Sequence, residues 1–92
     1  MQGKFVIVTT AHRGVFGGTL ESEDGSTATL LNAKNCVYWS AETRGVFGLA
    51  VTGPAGGSRI GPAVKRMEIR DVTSISLATP EAAERWRKEI WS

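Results

Sequence analysis

Short runs of alternating apolar and polar residues fill most of the chain and predict strands. The β-branched segment KFVIVTT at residues 4–10 predicts the first strand. Residues 14–33 alternate on both sides of the tetrapeptide EDGS, and Asp-Gly between two such segments is a strong β-hairpin signal. Gly17 and Gly18 lie inside the strand before this turn, which predicts a bulge, a sharp bend or a close approach of another backbone.

The second half of the chain predicts further strands and a loop. NCVYWS at residues 35–40 is strand-like, whereas residues 41–53 fit either a short helical turn followed by a strand or a loop and a strand. The glycine- and proline-rich residues 53–62 predict an exposed and mobile loop. Residues 63–78 alternate again, and a break in the period near Asp71 suits a bulge or a tight turn.

The clearest predicted element is a C-terminal helix at about residues 80–91. Thr79 predicts its N-cap, and Pro80 suits the first helical position. An apolar face recurs every four residues and consists of Ala82, Trp86 and Ile90. Trp91 is expected to act as a packing or interface anchor.

The order of these elements predicts one small β-rich domain over residues 1–92. A bent second strand followed at once by a hairpin is typical of small, highly curved sheets. We therefore predict a mainly β fold with one C-terminal helix, arranged as a strongly bent SH3-like or Sm-like sheet or a partly open barrel. A chain of this length buries only roughly 60–65% of the surface that its unfolded form exposes, so subunit association would add stability.

The stretch RGVFGGTLESEDGSTATLLNAKNCVYW carries two resemblances. It resembles the Sm/Lsm pattern G-x-x-x-x-G-x-L followed by a turn and x-x-L-x-x-A. It resembles more closely an uncharacterised family of short phage and prophage proteins with the pattern G-V-x-x-G-T-L, then G-x-x-A-x-L-x-x-A-x-x-x-x-Y-W. The matching residues are Gly14, Val15, Gly17, Gly18, Thr19, Leu20, Gly25, Ala28, Leu30, Ala33, Tyr38 and Trp39. This second resemblance implies a phage-type origin and a shared fold, but no particular activity.

Composition indicates a soluble globular protein. Hydrophobic residues make up 41% of the 92 residues, and no apolar run reaches the roughly 18–20 residues that span a bilayer. Cys36 is the only cysteine, which excludes an internal disulfide and fits a reducing compartment. We expect a cytoplasmic protein, in the host cytoplasm if phage-encoded, without a membrane partner. The net charge of +2 is mild, so attraction to nucleic acid stays open but is not required.

The chain offers little for catalysis. His12 is the only histidine, and no cysteine, histidine or acidic residues have metal-ligand spacing. Cys36 lies in an apolar strand, where a buried and unreactive thiol is the expected state. The acidic residues at the EDGS turn are explained by solvation. We therefore predict a protein that is not an enzyme and needs no cofactor.

The pentapeptide RGVFG occurs twice, at residues 13–17 and 44–48. Arg13 and Arg44 could each bind a phosphate group through two hydrogen bonds. Phe16 and Phe47 could stack on a base, although packing inside the core is the more ordinary role of phenylalanine. The flanking sequences diverge at once, so the repeat indicates local convergence rather than a domain duplication.

Aromatic and cationic residues between and after the two copies of RGVFG complete the predicted ligand site. Tyr38 and Trp39 are adjacent in a strand, so one should face the core and the other should face outward. An outward ring near Lys34 and Arg44 would make a stacking platform for a nucleobase and its phosphate. Arg59 belongs to the glycine-rich loop, which could act as a lid. A subunit interface is the alternative explanation for exposed aromatic residues.

These observations predict a phage-type binding protein that sequesters a small nucleotide-derived signalling molecule as a homo-oligomer. Such a molecule could be a host immune signal, such as a cyclic nucleotide or an ADP-ribose derivative, and its sequestration would be an anti-defence activity. The alternatives are an Sm-like binder of single-stranded nucleic acid and a protein-interaction module that inhibits a host factor.

Overall fold

Residues 1–88, which the computed structural model describes, form a mainly β fold with two α-helices. The elements in chain order are β1 Phe5–Thr10, β2 Val15–Asp24, β3 Thr27–Tyr38, a 3₁₀ turn Ala41–Thr43, α1 Gly45–Val51, β4 Arg59–Ile60, β5 Val64–Ile69, β6 Val72–Leu77 and α2 Pro80–Lys88. The mainly β prediction and the helix after Thr79 are confirmed. The strand expected within residues 41–53 is wrong, because this segment forms the 3₁₀ turn and α1.

The strands form one curled antiparallel sheet in the order β4-β3-β2-β1-β6. The long strand β3 pairs with β2 along one edge and with two partners in succession along the other, namely β5 and then β4. Only Arg70 and Asp71 connect β5, at one side of the sheet, to β6, at the other. The sheet must therefore curl until its sides approach each other at this connection, although it does not close as a barrel. This arrangement confirms the predicted strongly bent sheet.

The glycine pair in β2 lies where the sheet changes register. Gly17 pairs with Lys34, but Thr19 pairs with Leu31, so β3 contains an extra residue at this point. A Cβ atom at Gly17 would lie 2.7 Å from a ring carbon of Trp86, so only glycine lets the indole ring of α2 rest on the sheet. The predicted irregularity is therefore present, although its extra residue lies in β3 and not in the glycine-bearing strand. The predicted close backbone approach is confirmed at Gly18, where a Cβ atom would lie 3.0 Å from the Leu31 carbonyl oxygen.

The sheet packs on both faces and has two hydrophobic clusters. The inner cluster, inside the curl, consists of Val6, Val8, Leu20, Ala28, Leu30, Ala33 and Ile69. The outer cluster, between the sheet and the helices, consists of Ile7, Val15, Cys36, Leu49, Ala50, Ile60 and Trp86. Successive residues of β1 enter opposite clusters, which explains why its first four residues are all apolar and do not alternate.

The helix α2 starts and docks as its sequence predicts. The backbone N–H of Ala82 donates to Thr79 Oγ1 at 3.0 Å, which confirms the N-cap. Trp86 is fully buried, and its indole N–H donates to the Leu49 carbonyl oxygen at 3.0 Å, which joins α2 to α1. The predictions for Ile90 and Trp91 fall outside the described residues.

The segment after α1 is partly buried and is hydrogen-bonded to the 3₁₀ turn. Gly53 and Pro54 are buried, so the expectation of a wholly exposed loop is wrong. The buried Thr43 hydroxyl accepts a hydrogen bond from the Ala55 N–H at 3.0 Å and lies 3.3 Å from Ser58 Oγ. These bonds fix the loop to the 3₁₀ turn.

The two copies of RGVFG adopt different secondary structures. The first copy enters β2, whereas the second enters α1, where a Cβ atom at Gly48 would overlap the Thr43 carbonyl group. The flanking residues decide between the two: Gly-Thr-Leu continues a strand after Gly17, and Leu-Ala-Val continues a helix after Gly48. In both copies the arginine has a positive φ, 65° at Arg13 and 67° at Arg44.

Candidate ligand-binding site

Most of the predicted binding residues lie at one end of the sheet, which we call the arginine end. This set consists of Arg13, Tyr38, Trp39, Arg44, Phe47 and Arg59. The strand β2 begins at this end and β3 finishes there, because Phe16 pairs with Asn35 in antiparallel register. Arg13 precedes β2 and Tyr38 ends β3, where it pairs with Arg59 of β4.

The orientation of α1 brings Arg44 and Phe47 to the same end. The other end of α1 is tied to the start of α2, because the Thr79 hydroxyl donates to the Val51 carbonyl oxygen at 2.7 Å and its N–H donates to the Ala50 carbonyl oxygen at 2.9 Å. Thr79 follows β6 at the end of the sheet where β1 begins. The helix α1 therefore runs from the arginine end towards the opposite end of the sheet.

The arginine end is an exposed surface with both charge signs. Tyr38 is 54% exposed and Phe47 is 80% exposed, whereas Trp39 is half-buried against the outer cluster. The prediction that one residue of the Tyr38–Trp39 pair faces outward and the other faces the core is therefore confirmed. Glu42 and Asp71 also lie near this end, so its arginines do not make a purely cationic surface.

The other two predicted residues, Phe16 and Lys34, do not belong to this exposed set. Phe16 is half-buried and packs against the inner cluster, as the ordinary core role predicts. Lys34 is in the middle of β3, and its ammonium group donates to the carbonyl oxygens of Trp86 and Arg87 at 2.9 and 3.0 Å. A cation is favourable at these carbonyl groups because they carry the negative end of the helix dipole.

Lys34 belongs to a concave surface between α2 and the start of β1. This surface has two hollows, of about 750 Å³ and about 240 Å³, whose walls share Phe5 and Arg87. We call the two hollows together the Phe5 groove. Its charged and aromatic lining residues are Lys4, Phe5, Lys34, Glu84, Arg87 and Lys88. Hollows of a few hundred cubic ångströms are typical of small-molecule sites.

Phe5 and Arg87 form a stacked pair in the wall between the hollows. The guanidinium carbon of Arg87 lies 5.3 Å from the centroid of the Phe5 ring, within the range of a cation–π contact. The buried Trp86 ring supports Phe5 from the core, with its centroid 6.1 Å away. Arg87 is itself exposed, so the planar group can stack on a ligand ring or form two hydrogen bonds with an anion.

The described lining of the Phe5 groove carries more positive than negative charge. Among residues 1–88, the cationic lining residues are Lys4, Lys34, Arg87 and Lys88, and the acidic one is Glu84. The Lys88 ammonium group lies 2.9 Å from Glu84 and lowers the pKa of this carboxyl group through a hydrogen bond and charge attraction. The described lining thus favours an anion, since Lys4 and Arg87 add positive charge beside this pair.

The reactive residues of the described chain lie away from this groove. Cys36 is buried in the outer cluster, and burial raises the pKa of its thiol to about 11, so it is protonated at neutral pH. His12 is exposed in the turn between β1 and β2, with its Nε2 atom 3.4 Å from the Asp71 carboxylate. Residues 1–88 contain no cluster of His, Cys, Asp and Glu that could bind a metal ion.

Sequence reasoning found Lys34 but missed Phe5 and Arg87. Phe5 is at the start of β1 and Arg87 is in the last turn of α2, so no local motif contains both. One sequence feature that points to Arg87 is its position directly after Trp86 in the amphipathic helix. A residue next to the buried face of a helix lies at the edge of that face, close to the surface on which the helix packs. Its partner on the sheet could be identified only from the tertiary structure.

The fold is that of a small β-rich domain, and the described lining of its Phe5 groove is mainly cationic. The chain belongs to the domain family of unknown function DUF6948, whose sequence profile matches residues 3–86. This match agrees with the predicted membership of an uncharacterised family, whereas the phage origin and the Sm-like resemblance remain predictions. No curated protein and no solved structure matches the chain. Within residues 1–88, no helix is long and apolar enough to cross a membrane.

Proposed function

We propose that the protein binds a small anionic ligand of nucleotide type in the Phe5 groove and holds it without chemical change. The observation that carries this proposal is the stacked pair of Phe5 and Arg87 among further cations. A guanidinium plane supported by a ring can stack on a nucleobase, and the neighbouring ammonium groups can bind a phosphate group. Sequestration of a host signal by a phage-type protein is the biological role that fits such binding.

Lys34 has a supporting role in this proposal. Its ammonium group already donates to the last carbonyl groups of α2, so it fixes the backbone that carries Arg87. It also adds positive charge to the smaller hollow. Lys4 is exposed at the rim of the larger hollow, where it can reach a ligand phosphate without disturbing the fold.

The charge distribution elsewhere favours a small ligand over a nucleic-acid strand. Two exposed arginines of the segment from β5 to β6, Arg66 and Arg70, are paired with carboxylates. Arg66 donates twice to Glu21, at 2.7 and 3.1 Å, and Arg70 lies 3.3 Å from Glu68. A binder of single strands uses a continuous cationic path along its surface, and these ion pairs interrupt one.

Calorimetry with a panel of cyclic mononucleotides, cyclic dinucleotides and ADP-ribose derivatives tests the proposal. We expect one of them to bind, and Arg87→Ala to weaken that binding about tenfold or more. Arg85→Ala is the matched control, because Arg85 is also exposed on α2 but does not line the groove. Mass spectrometry of the recovered ligand should show the intact molecule.

Four results would contradict this proposal. Absence of binding across the panel would refute a nucleotide-type ligand, and recovery of a cleaved ligand would indicate an enzyme. Loss of binding in the Arg13→Ala/Arg44→Ala double variant, with Arg87→Ala unaffected, would move the site to the arginine end. Binding of a single-stranded oligonucleotide with a steep salt dependence would favour the nucleic-acid alternative.

A protein-interaction function is the second candidate, and one observation supports it. Phe47 and Val51 are 80% and 57% exposed on the same side of α1, four residues apart. Exposed aromatic residues are enriched in protein interfaces. Capture of a host protein by the wild-type chain but not by Phe47→Ser would support this role, provided that both proteins are equally folded.

A further inference from the structure

We propose that two copies of the chain associate by antiparallel pairing of their β6 strands, so that one sheet continues through both copies. Within residues 1–88 the sheet ends at β6, whose inner edge pairs with β1 and whose outer edge pairs with no other strand. The outer edge of β6 takes no part in the strand pairing of a single copy, and the proposed dimer does not depend on the proposed ligand.

The register of β6 shows which backbone groups face outward. The N–H of Ala78 donates to the Phe5 carbonyl oxygen at 3.0 Å, so Ala78 faces β1. Hydrogen-bonding direction alternates along an antiparallel strand. Ile75 and Leu77 therefore direct their N–H and C=O groups away from β1, whereas Thr73 lies at the register shift between the Thr9–Ser74 and Thr10–Val72 pairs. A row of such groups is a template for another strand.

The sequence of β6 lacks the charged residues and prolines that normally prevent pairing of an exposed edge, and only the register shift at Thr73 interrupts its regular pairing with β1. The strand VTSISL contains no charged residue, no proline and no glycine. The free edge on the opposite side of the sheet is formed by β5, which carries three exposed charged side chains, those of Lys65, Arg66 and Glu68, and by the two-residue strand β4, which contains Arg59. Among the edge strands of the described chain, β6 is thus the one without charged side chains.

A second copy of the same strand is the partner that this edge fits. In an antiparallel pair centred on Ile75, Ile75 faces its own equivalent and Leu77 faces Thr73 of the second copy. Because β6 contains no charged residue, this pairing places no like charges side by side. The second strand would also cover Leu77, which is 55% exposed. Such a pair has two-fold symmetry, the commonest symmetry of soluble oligomers.

Native mass spectrometry and sedimentation equilibrium of the ligand-free protein test this interface. We expect a dimer within the range of about 1 µM to 1 mM, and Leu77→Lys should raise its dissociation constant about tenfold or more. Val64→Lys is the matched control, because Val64 is 50% exposed on the other free edge. If Leu77→Lys lowers the urea midpoint, Thr73→Lys at an exposed position of the same strand replaces it.

Mixing two variants tests the register of the pair. Thr73→Glu and Leu77→Lys place opposite charges across the proposed pairing, so their mixture should form a heterodimer in preference to either homodimer. A wild-type protein that remains monomeric over the whole concentration range overturns the proposal. Dissociation of the dimer by Val64→Lys, with no effect of the β6 variants, also overturns it. So does a mixture in which the heterodimer forms no more readily than the two homodimers.

Discussion

Replacing Arg13 by glycine should make the protein more stable, because Arg13 holds a left-handed backbone conformation with φ of 65°. For a residue with a Cβ atom this conformation costs about 1–2 kcal/mol. Glycine removes that cost. It also makes the unfolded chain more flexible, which stabilises the unfolded state by about 0.4–1 kcal/mol. The exposed Arg13 side chain makes no hydrogen bond or ion pair with the described residues, so its loss adds little. The net gain is about 0.5–1 kcal/mol.

Urea unfolding followed by tryptophan fluorescence measures this change, since Trp86 is buried in the folded chain. A domain of this size should also melt about 2–8 °C higher. Arg13→Ala is the first control, because it removes the side chain but keeps the strain, and it should give no gain. His12→Gly is the second, because His12 lies in the same turn without a positive φ and should lose stability. An Arg13→Gly variant no more stable than Arg13→Ala would refute the reasoning.

Three further substitutions test the packing and the electrostatics. Gly17→Ala should lose about 1–3 kcal/mol in urea unfolding because its Cβ would meet the Trp86 ring, whereas Gly56→Ala, which has open space, should lose less than about 1 kcal/mol. Since burial raises the pKa of Cys36 from 9.0 to about 11, the unfolded state loses this proton first, and stability should fall as pH rises from 9 to 11; Cys36→Ser should remove that fall. Lys34→Met should lower the free energy of unfolding by about 1 kcal/mol by removing the cation from the end of α2, and an unchanged urea midpoint would contradict this role.

Local signals predicted the parts of the fold that local physics determines. The Asp-Gly turn, the irregular pairing beside Gly17 and Gly18, the N-cap at Thr79 and the break at Asp71 each depend on a few neighbouring residues. The helix α1 was missed because its segment has no N-cap residue and begins with the same pentapeptide that enters β2. Its helical form depends on packing of Leu49 and Ala50 against Trp86, which lies far away in sequence.

The candidate site was less predictable than the fold. The sequence predicted binding residues where arginine and aromatic residues are close together along the chain, and the structure places most of them at the arginine end. The Phe5 groove instead combines the first strand with the last helix. Only the docking of Trp86 on Gly17 brings Arg87 over Phe5, and that approach is a tertiary event. Lys34 was found from its charge, but its bonds to α2 depend on the same docking.

The central position of β1 has a consequence for how the chain unfolds. Val6 and Val8 belong to the inner cluster, whereas Ile7 between them belongs to the outer cluster. Detachment of the helices would expose Ile7 on the strand that also holds the inside of the curl together. Partial opening is therefore costly, and the amide hydrogens at the centre of β1 should exchange with solvent only when the whole molecule opens.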